Sequence, residues 1–201
     1  GMLRRIFTLR EKFAKKLNVK LYAKSSFSDN EGTLITDKGE EYHNGTIIKA
    51  VTAIRNVQMI TVEGRGMLGV PGVAARILSA VATTGATVPM ITEASSEQYL
   101  CFAVPSVSTQ DVLTVLQQAL EGEIERRNID RIWASEEVVI VTVICPQMRT
   151  RLGIAGKVFS ALGDSGVNVF AIAHGSSDVS ISLIVSIDDL QTTIAALHQL
   201  T

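Results

Sequence analysis

The chain repeats itself, and this repeat constrains the fold more than any other feature of the sequence. The segment ITVEGRGMLGVPGVAARILSAVATTGATVPMITEASSEQYLCFAV begins at Ile60 and aligns without a gap with VTVICPQMRTRLGIAGKVFSALGDSGVNVFAIAHGSSDVSISLIV, which begins at Val141. Every matched pair is therefore 81 residues apart, as Met67 and Met148 are. Two copies of one supersecondary unit explain an ungapped match of this length.

Hydrophobic periodicity divides both copies into the same order of elements. In the first copy it predicts a strand at 57–62, a helix starting near Gly72, strands at 88–94 and 99–104, a helix at 109–127 and a strand at 131–134. In the second it predicts a strand at 138–143, a helix starting near Gly153, strands at 169–174 and 180–185, and a helix at 188–200. Gly85 and Gly166 follow the first helix of each copy, where a left-handed residue commonly ends a helix.

The second copy lacks a last strand, and one unassigned strand candidate lies upstream of the first copy. That candidate is TIIKAVTAI at 46–54. If it completes the second sheet, no strand edge is left unpaired and the first copy is inserted into the second. We therefore expect an α+β fold with two ferredoxin-like βαββαβ units, each an antiparallel sheet with helices on one face.

Composition argues against several classes of partner. The 201 residues carry 19 Lys or Arg and 20 Asp or Glu, so a formal net charge of −1 gives no general attraction to nucleic acid or to an anionic membrane. No stretch reaches the ~20 apolar residues of a membrane helix, and no secretory signal is evident. The cysteines and histidines are scattered without metal-ligand spacing, so we expect no metal site. Cys101 and Cys145 lie in apolar runs, which is typical of a reduced intracellular protein.

The residues before the repeat have a different character. The apolar residues of 3–17 fall on one helical stripe, with Arg and Lys over the rest of the surface. A basic amphipathic helix can bind a membrane surface, but we favour a solvated face on a helix that packs elsewhere. A half-buried strand is predicted at 19–23, followed by a polar, turn-rich stretch from 25 to 45.

Four unlike classes of protein use βαββαβ units, so the fold alone does not decide the function. An RNA reader needs exposed aromatic residues on a basic sheet, and only 5% of this chain is aromatic. Arg65 and Arg149 have no convergent partners for an acylphosphatase-type phosphate cradle, and Cys145 alone does not make a metal carrier. The sequence has no Ser-His-Asp set, P-loop or HExxH motif. A small-molecule sensor is the remaining class.

The sensor interpretation rests on the loop before the first helix, GRGMLGVPG at 64–72. Its glycines let backbone N–H groups approach a ligand, and those groups lie at a helix N-terminus, where the dipole favours a carboxylate. The neighbouring strand end offers carbonyl groups to an ammonium, so the loop suits a free amino acid. A tight turn without a ligand explains the same glycines equally well.

Three further motifs resemble the paired ACT domains of aspartate kinase. They are GMLGVPGVAAR at 66–76, VPMITEASSE at 88–97 and NVFAIAHGSSDVSIS at 168–182. The upstream AKKLNVKLYAKSSFSDNEGTLI at 14–35 resembles that enzyme's junction between its kinase and regulatory parts. In this family the first ACT domain is inserted into the second. The resemblance assigns 1–44 to the end of a kinase domain and a linker, 56–136 to a first ACT domain, and 45–55 with 137–201 to a second.

The resemblance implies a regulatory role. Aspartate kinase phosphorylates aspartate with ATP and Mg²⁺ at the entry to lysine, threonine and methionine synthesis. Its ACT domains bind end-product lysine or threonine at dimer interfaces and inhibit the enzyme. The Lys-Phe-Gly-Gly-Thr-Ser segment that opens the family's kinase domain does not occur in this sequence. We therefore expect a cytoplasmic, cofactor-free and catalytically inactive homodimer that acts on an aspartate kinase catalytic domain. The alternative is a free-standing ACT protein that senses another amino acid for a different partner.

The resemblance also assigns effector-binding residues by position. In the first repeat they are Met67, Leu68, Gly69, Val70, Pro71, Gly72, Val73, Val88, Met90, Ile91, Thr92 and Glu93. In the second they are Gln147, Met148, Leu152, Gly153, Ile154, Asn168, Val169, Ala171 and His174. Asn168 matches an asparagine that often binds the ligand in ACT sites, because its amide both donates and accepts; a turn after Gly166 is the other explanation.

Three positions depart from the family's pattern. Threonine-responsive members have glutamine where this chain has Glu93 and His174, and ACT domains often have asparagine where it has Thr87. Glu93 brings a charge that suits a ligand ammonium or the side chain of lysine, so the departures leave the identity of the effector open. Histidine changes charge near neutral pH, from which we predict pH-dependent binding at His174.

Overall fold

The computed structural model describes residues 19–24, 27, 32–35, 48–67, 70–93, 98–145, 148, 151–174 and 180–200. The chain divides into two units, Gly1–Gly45 and Thr46–Thr201. In the first unit, strand β1 (Leu21–Ala23) pairs antiparallel with β2 (Thr33–Ile35). The predicted strand is present over its last three residues, although Val19 is 59% exposed and lies before it. The amphipathic helix predicted at 3–17 lies outside the described residues.

The second unit contains one six-stranded antiparallel sheet. Its strands are β3 (Ala50–Glu63), β4 (Met90–Glu93), β5 (Tyr99–Pro105), β6 (Arg131–Ile144), β7 (Val169–His174) and β8 (Ser180–Ser186), in the spatial order β4-β5-β3-β6-β8-β7. The described α-helices are α1 (Val73–Thr83), α2 (Thr109–Ala119), α3 (Glu121–Glu125), α4 (Ile154–Asp164) and α5 (Leu190–His198). Every element predicted within the repeats is present. The helix predicted at 109–127 breaks at Leu120, where ψ is 13°, and becomes α2 and α3.

Two long strands, β3 and β6, run through both repeats. The first part of β3 pairs with the end of β6, from Ala50 opposite Ile144 to Ile54 opposite Ile140. The segment upstream of the first copy therefore supplies the last strand of the second copy. This is the insertion of one copy into the other that the sequence predicted. The two expected sheets form one sheet because both use β3 and β6.

The long strands bend where one repeat passes into the other. Register shifts between β3 and β6 lie between Ile54 and Val57 and between Gln58 and Ile60. Asn56 has a φ of 56°, in the left-handed region that asparagine tolerates better than most residues. An extra residue in one strand bends and twists the ladder locally. The domain boundaries predicted at 55/56 and 136/137 fall at these bends and stay a prediction.

The helices of each repeat cover one face of its half of the sheet. In the first half, Ile77 of α1 and Phe102 of β5 belong to one buried cluster, and α4 and α5 form the equivalent cluster in the second half. Neighbouring strand residues point to the opposite face. There Ala103 of the first half and Ile184 of the second, both 0% exposed, belong to a third cluster. The helix-free faces of the two halves therefore pack against each other.

Candidate functional site

A cavity of about 110 Å³, which we call site 1, lies between the start of α1 and the outer strand β4. Its lining consists of Met67, Val70, Gly72, Val73, Ala74, Ile77, Glu93 and Leu100. The buried side chains of Val73, Ile77 and Leu100 make its inner wall apolar. Among the described residues that line it, Glu93 is the one with an ionisable side chain, so the cavity combines an apolar floor with a carboxylate.

A second cavity of about 390 Å³, site 2, lies at the equivalent place in the second repeat, between the start of α4 and the outer strand β7. Its lining consists of Met148, Arg151, Leu152, Gly153, Ile154, Ala155, Phe159, Ile172, His174 and Ile181. Seven of these residues lie 81 positions after a residue that lines site 1. Glu93 thus corresponds to His174, and Val70 to Arg151. The repeat builds one kind of cavity twice, with different charges in each.

Helices α1 and α4 begin at the two sites without an acidic residue or a side-chain cap of their own. Gly72 precedes α1 with a φ of 81°, and Gly153 precedes α4 with a φ of 80°. Neither helix has a side-chain cap or an acidic residue in its first turn. The first N–H groups of a helix have no partner within it, and the helix dipole is positive at this end. Each helix start can therefore accept the carboxylate of a ligand.

The strand side of each site carries a different polar group. Glu93 lies opposite Leu100 in the ladder, and His174 lies opposite Ile181, so both share the helix-covered face with an apolar residue of the same cavity. Nδ1 of His174 is 3.2 Å from the carbonyl oxygen of Ser180. Because a carbonyl only accepts, this hydrogen bond requires the proton on Nδ1 and leaves Nε2 for a ligand. Site 1 thus offers a carboxylate, and site 2 offers an imidazole nitrogen.

The structure brings together about half of the residues that the sequence assigned to effector binding. Those that line a cavity are Met67, Val70, Gly72, Val73 and Glu93 at site 1, and Met148, Leu152, Gly153, Ile154 and His174 at site 2. Those that line neither cavity are Pro71, Val88, Met90, Ile91, Thr92, Asn168, Val169 and Ala171. Met90 and Ala171 belong to the cluster on the helix-free face, because strand residues alternate between faces. Leu68, Gly69 and Gln147 lie outside the described residues.

The cavities also include residues that sequence reasoning did not select. They are Ala74, Ile77 and Leu100 at site 1, and Arg151, Ala155, Phe159, Ile172 and Ile181 at site 2. Two features of the sequence point to some of these residues. Ile77 lies one helical turn after Val73 and therefore on the same face of the helix. Leu100 and Ile181 are 81 positions apart, so the repeat places them at equivalent positions.

The outer strands β4 and β7 are the two edges of the sheet. Their apolar side chains are partly exposed, at 43% for Ile91, 48% for Phe170 and 47% for Ile172. Since Glu93 and His174 lie on these strands, both cavities lie at an edge of the sheet. A partner that covers these edges would also cover both sites.

Other chemistry in the described part of the chain is limited. No group of three or more His, Cys, Asp or Glu side chains among the described residues is arranged to hold a metal ion. Burial raises the pKa of the Cys145 thiol, which keeps it protonated at neutral pH. Of the helices described, none has the length and apolar character needed to cross a membrane.

Comparison with known sequences identifies a family model and curated relatives. A sequence model described as the ACT domain matches residues 60–120 and 141–200. The bifunctional aspartokinase/homoserine dehydrogenase of Haemophilus influenzae is 35% identical over 152 residues, which are 76% of this chain and 19% of that protein. The chain therefore spans about a fifth of the length of this curated relative.

Comparison with solved structures gives the same picture of the fold. The regulatory subunit of aspartate kinase from Thermus flavus matches 77% of this chain and 98% of its own, with a TM-score of 0.64 and 24% identity. E. coli aspartokinase III in complex with lysine and aspartate matches 92% of this chain and 40% of its own, with a TM-score of 0.68 and 24% identity. Because both proteins are only 24% identical to this chain, the comparison shows similarity of fold alone.

Proposed function

Because the chain belongs to the ACT-domain family, we propose that it is the allosteric regulatory module of an aspartate kinase. In this proposal it binds end-product lysine or threonine and conveys feedback inhibition. The names of its relatives support the assignment, since one is an aspartokinase and another is a regulatory subunit of that enzyme. Lysine is present in the complex of the E. coli relative.

One observation carries this proposal: the same seven repeat positions line a cavity in both halves of the molecule. Each cavity has an uncapped helix start on one side and a polar strand residue on the other. A free amino acid has the matching pair of charges, a carboxylate and an ammonium group. We infer that its carboxylate binds the N–H groups at the start of α1 or α4. Its ammonium then faces Glu93 at site 1 or Nε2 of His174 at site 2.

The charge of Glu93 favours lysine as the ligand of site 1. Lysine carries two cationic groups and threonine carries one, and a carboxylate attracts both cations of lysine. Glu93 lines the cavity with an exposed side chain, so solvent screens part of this attraction. Among the described residues that line site 2, none has a carboxylate. The two sites therefore differ in the ligand that they prefer.

We also propose that the module is a homodimer. Among the described strands, β4 and β7 each pair with one neighbour only, and both carry exposed apolar side chains. A second copy that pairs with these edges would bury Ile91, Phe170 and Ile172. It would also close sites 1 and 2. Binding of an effector and assembly of the dimer are then linked.

The chain itself is proposed to have no catalytic activity and no cofactor. ATP and Mg²⁺ would be bound by the kinase catalytic domain on which it acts, in the cytoplasm where that enzyme's substrates are found. An assay for ATP-dependent aspartyl hydroxamate formation tests this directly. We expect no product above background with the purified chain, and turnover would contradict the proposal.

Titration calorimetry with lysine and with threonine tests the binding function. We expect saturable lysine binding and a rise in the melting temperature, because a ligand that binds the folded state stabilises it. Replacing Glu93 by glutamine is expected to weaken lysine binding about 3- to 10-fold. Glu125→Gln, an exposed glutamate in α3 outside both cavities, is the matched control and should leave it unchanged.

The alternative is a free-standing amino-acid sensor for another partner. Glu93 and His174 replace the glutamines of threonine-responsive members of the family, which argues against threonine as the effector. A screen of the other amino acids by thermal melting separates the two possibilities. If lysine and threonine both fail to bind and another amino acid binds, the alternative is correct.

A further inference from the structure

The turn at residues 64–67 leads into site 1 and is bound to the segment that precedes β6. Oδ2 of Asp130 accepts a hydrogen bond from the backbone N–H of Arg65 at 3.1 Å and one from Nε of Arg65 at 3.3 Å. The N–H of Asp130 donates to the carbonyl oxygen of Glu63 at 2.8 Å. Asp130 thus holds the chain on both sides of Gly64.

The backbone of the 64–67 turn also packs closely against the backbone of Asn128. A Cβ atom added to Gly64 would overlap the carbonyl oxygen of Asn128, and one added to Gly66 would lie 2.5 Å from the Cα atom of Asn128. Only glycine allows the two stretches of backbone to approach so closely. The turn therefore rests directly on residues 128–130 without intervening side chains.

The same turn places part of the wall of site 1. The N–H of Met67 donates to the carbonyl oxygen of Gly64 at 3.0 Å, and the N–H of Val70 donates to that of Met67 at 3.1 Å. Met67 and Val70 both line the cavity. A continuous set of hydrogen bonds therefore connects the carboxylate of Asp130 to two residues of the binding site.

The second repeat cannot form this arrangement. The repeat partner of Arg65 is Pro146, which has no N–H to donate. The residue that occupies the place of Asp130 is Lys49, whose N–H donates to Ile144 at 2.8 Å just as that of Asp130 donates to Glu63. A lysine side chain has no acceptor. Cys145 replaces Gly64 and is fully buried, so the second repeat accommodates a Cβ atom there.

We propose that Asp130 is a positioning residue of site 1, which holds the 64–67 turn in the conformation that binds the effector and has no counterpart at site 2. This inference rests on the proposed function, because it assigns Asp130 to the binding of the same ligand. Its physical basis is preorganisation: a wall held in place before binding does not have to be ordered by the ligand. The pKa of Asp130 lies below its ordinary value because it accepts the bonds from Arg65, which shows that they favour the charged carboxylate.

Backbone amide exchange of the ligand-free 201-residue chain tests the proposal first. In Asp130→Ala, we expect the amides of Arg65, Met67 and Val70 to exchange about 3- to 10-fold faster than in the wild type. Asp130→Asn keeps one acceptor oxygen and should give a smaller increase. The amides at 151–154 of site 2 should not change. Asp188→Asn, an exposed aspartate of the second repeat, is the matched control.

Ligand titrations of the same variants give the second measurement. Affinity at site 1 should fall about 3- to 10-fold in Asp130→Ala, with site 2 unchanged. Glu93→Gln, which should weaken lysine binding at site 1 alone, identifies the heat that belongs to site 1. Unchanged exchange at Arg65 and Met67, or equal losses at both sites, would overturn the positioning role. If the wild type binds neither lysine nor threonine, the proposed function fails, and the amide exchange still decides whether Asp130 holds the turn.

Discussion

The hydroxyl group of Thr92 donates a hydrogen bond to the carbonyl oxygen of Ile172 across 3.4 Å, which joins the outer strands of the two repeats. Thr92 adjoins Glu93 of site 1, and Ile172 lines site 2. A flat sheet of six strands would hold its outer strands about 24 Å apart. They meet here because β3 and β6 bend between the repeats and the helix-free faces close on each other. The strand walls of the two sites are therefore in direct contact.

Replacing Ile184 by alanine tests the packing of the helix-free faces. Ile184 is 0% exposed in the cluster shared by both halves, so its loss should lower the free energy of unfolding by about 2–5 kcal/mol. Ile54→Ala is the matched control, because Ile54 and Ile184 both lie opposite Ile140 in the sheet and Ile54 is 47% exposed. The control should cost less than about 1 kcal/mol in urea denaturation. Equal losses would mean that the two faces do not close in solution.

Replacing Gly64 by alanine tests the close approach of two backbone segments. The added methyl group would overlap the carbonyl oxygen of Asn128, so we expect destabilisation of about 1–3 kcal/mol or more. Gly122→Ala is the control variant, for which we expect the opposite effect. Gly122 lies in α3, and no atom lies within 4 Å of an added Cβ. Alanine there should stabilise the chain by about 0.5–1 kcal/mol. Thermal melts of both variants measure the difference. A harmless Gly64→Ala would show that the turn does not rest on residues 128–130.

Replacing His174 by leucine tests the acceptor at site 2. Nδ1 of His174 lies 3.2 Å from the carbonyl oxygen of Ser180, which leaves Nε2 for a ligand ammonium. Leucine has no acceptor, so affinity at site 2 should fall about 3- to 10-fold, while His174→Gln, which keeps an acceptor, should lose less. Titration calorimetry makes the comparison. Equal affinities at site 2 in the wild type and in His174→Leu would exclude this role of His174.

Acidification is expected to release the 64–67 turn. The hydrogen bonds from the backbone N–H and the side chain of Arg65 hold the pKa of Asp130 below its ordinary value. A carboxylate with a lowered pKa adds stability above its ordinary pKa and loses this contribution as the pH falls through the lowered value. Asp130→Asn should therefore melt at a lower temperature than the wild type at pH 7. The gap should close below about pH 4. A gap that persists at pH 2, or one equalled by Asp188→Asn, would show that the charge of Asp130 is not responsible.

Much of the fold follows from local patterns in the sequence. The ungapped repeat, the alternation of apolar residues and the glycines after the helices predict the order of strands and helices in both halves. Gly85 and Gly166 have φ values of 71° and 72°, as their place at the helix ends requires. The missing strand at 46–54 also follows from the sequence, because the repeat shows that the second copy lacks one element. Its pairing from Ala50 to Ile54 is observed.

The candidate sites could be predicted only in part. The loop and helix-start residues Gly72 and Gly153 were identified because glycine and the repeat mark them. Strand residues were harder to assign, because a continuous run of candidates such as Met90–Glu93 alternates between two faces. Glu93 faces the cavity, and Met90 faces the other half of the molecule. The register between β4 and β5 decides which of these residues face the helices. No local pattern in the sequence specifies this register.

The sequence by itself determined the repeated unit, its secondary structure and the insertion of one copy into the other, because these depend on periodicity and on residues close in the chain. The tertiary structure decided that the copies share one bent sheet, that Thr92 meets Ile172, and that Asp130 binds the turn of site 1 alone. These contacts join residues 65 to 80 positions apart. Their formation depends on strand register and on the packing of whole faces, which are set by the fold as a unit.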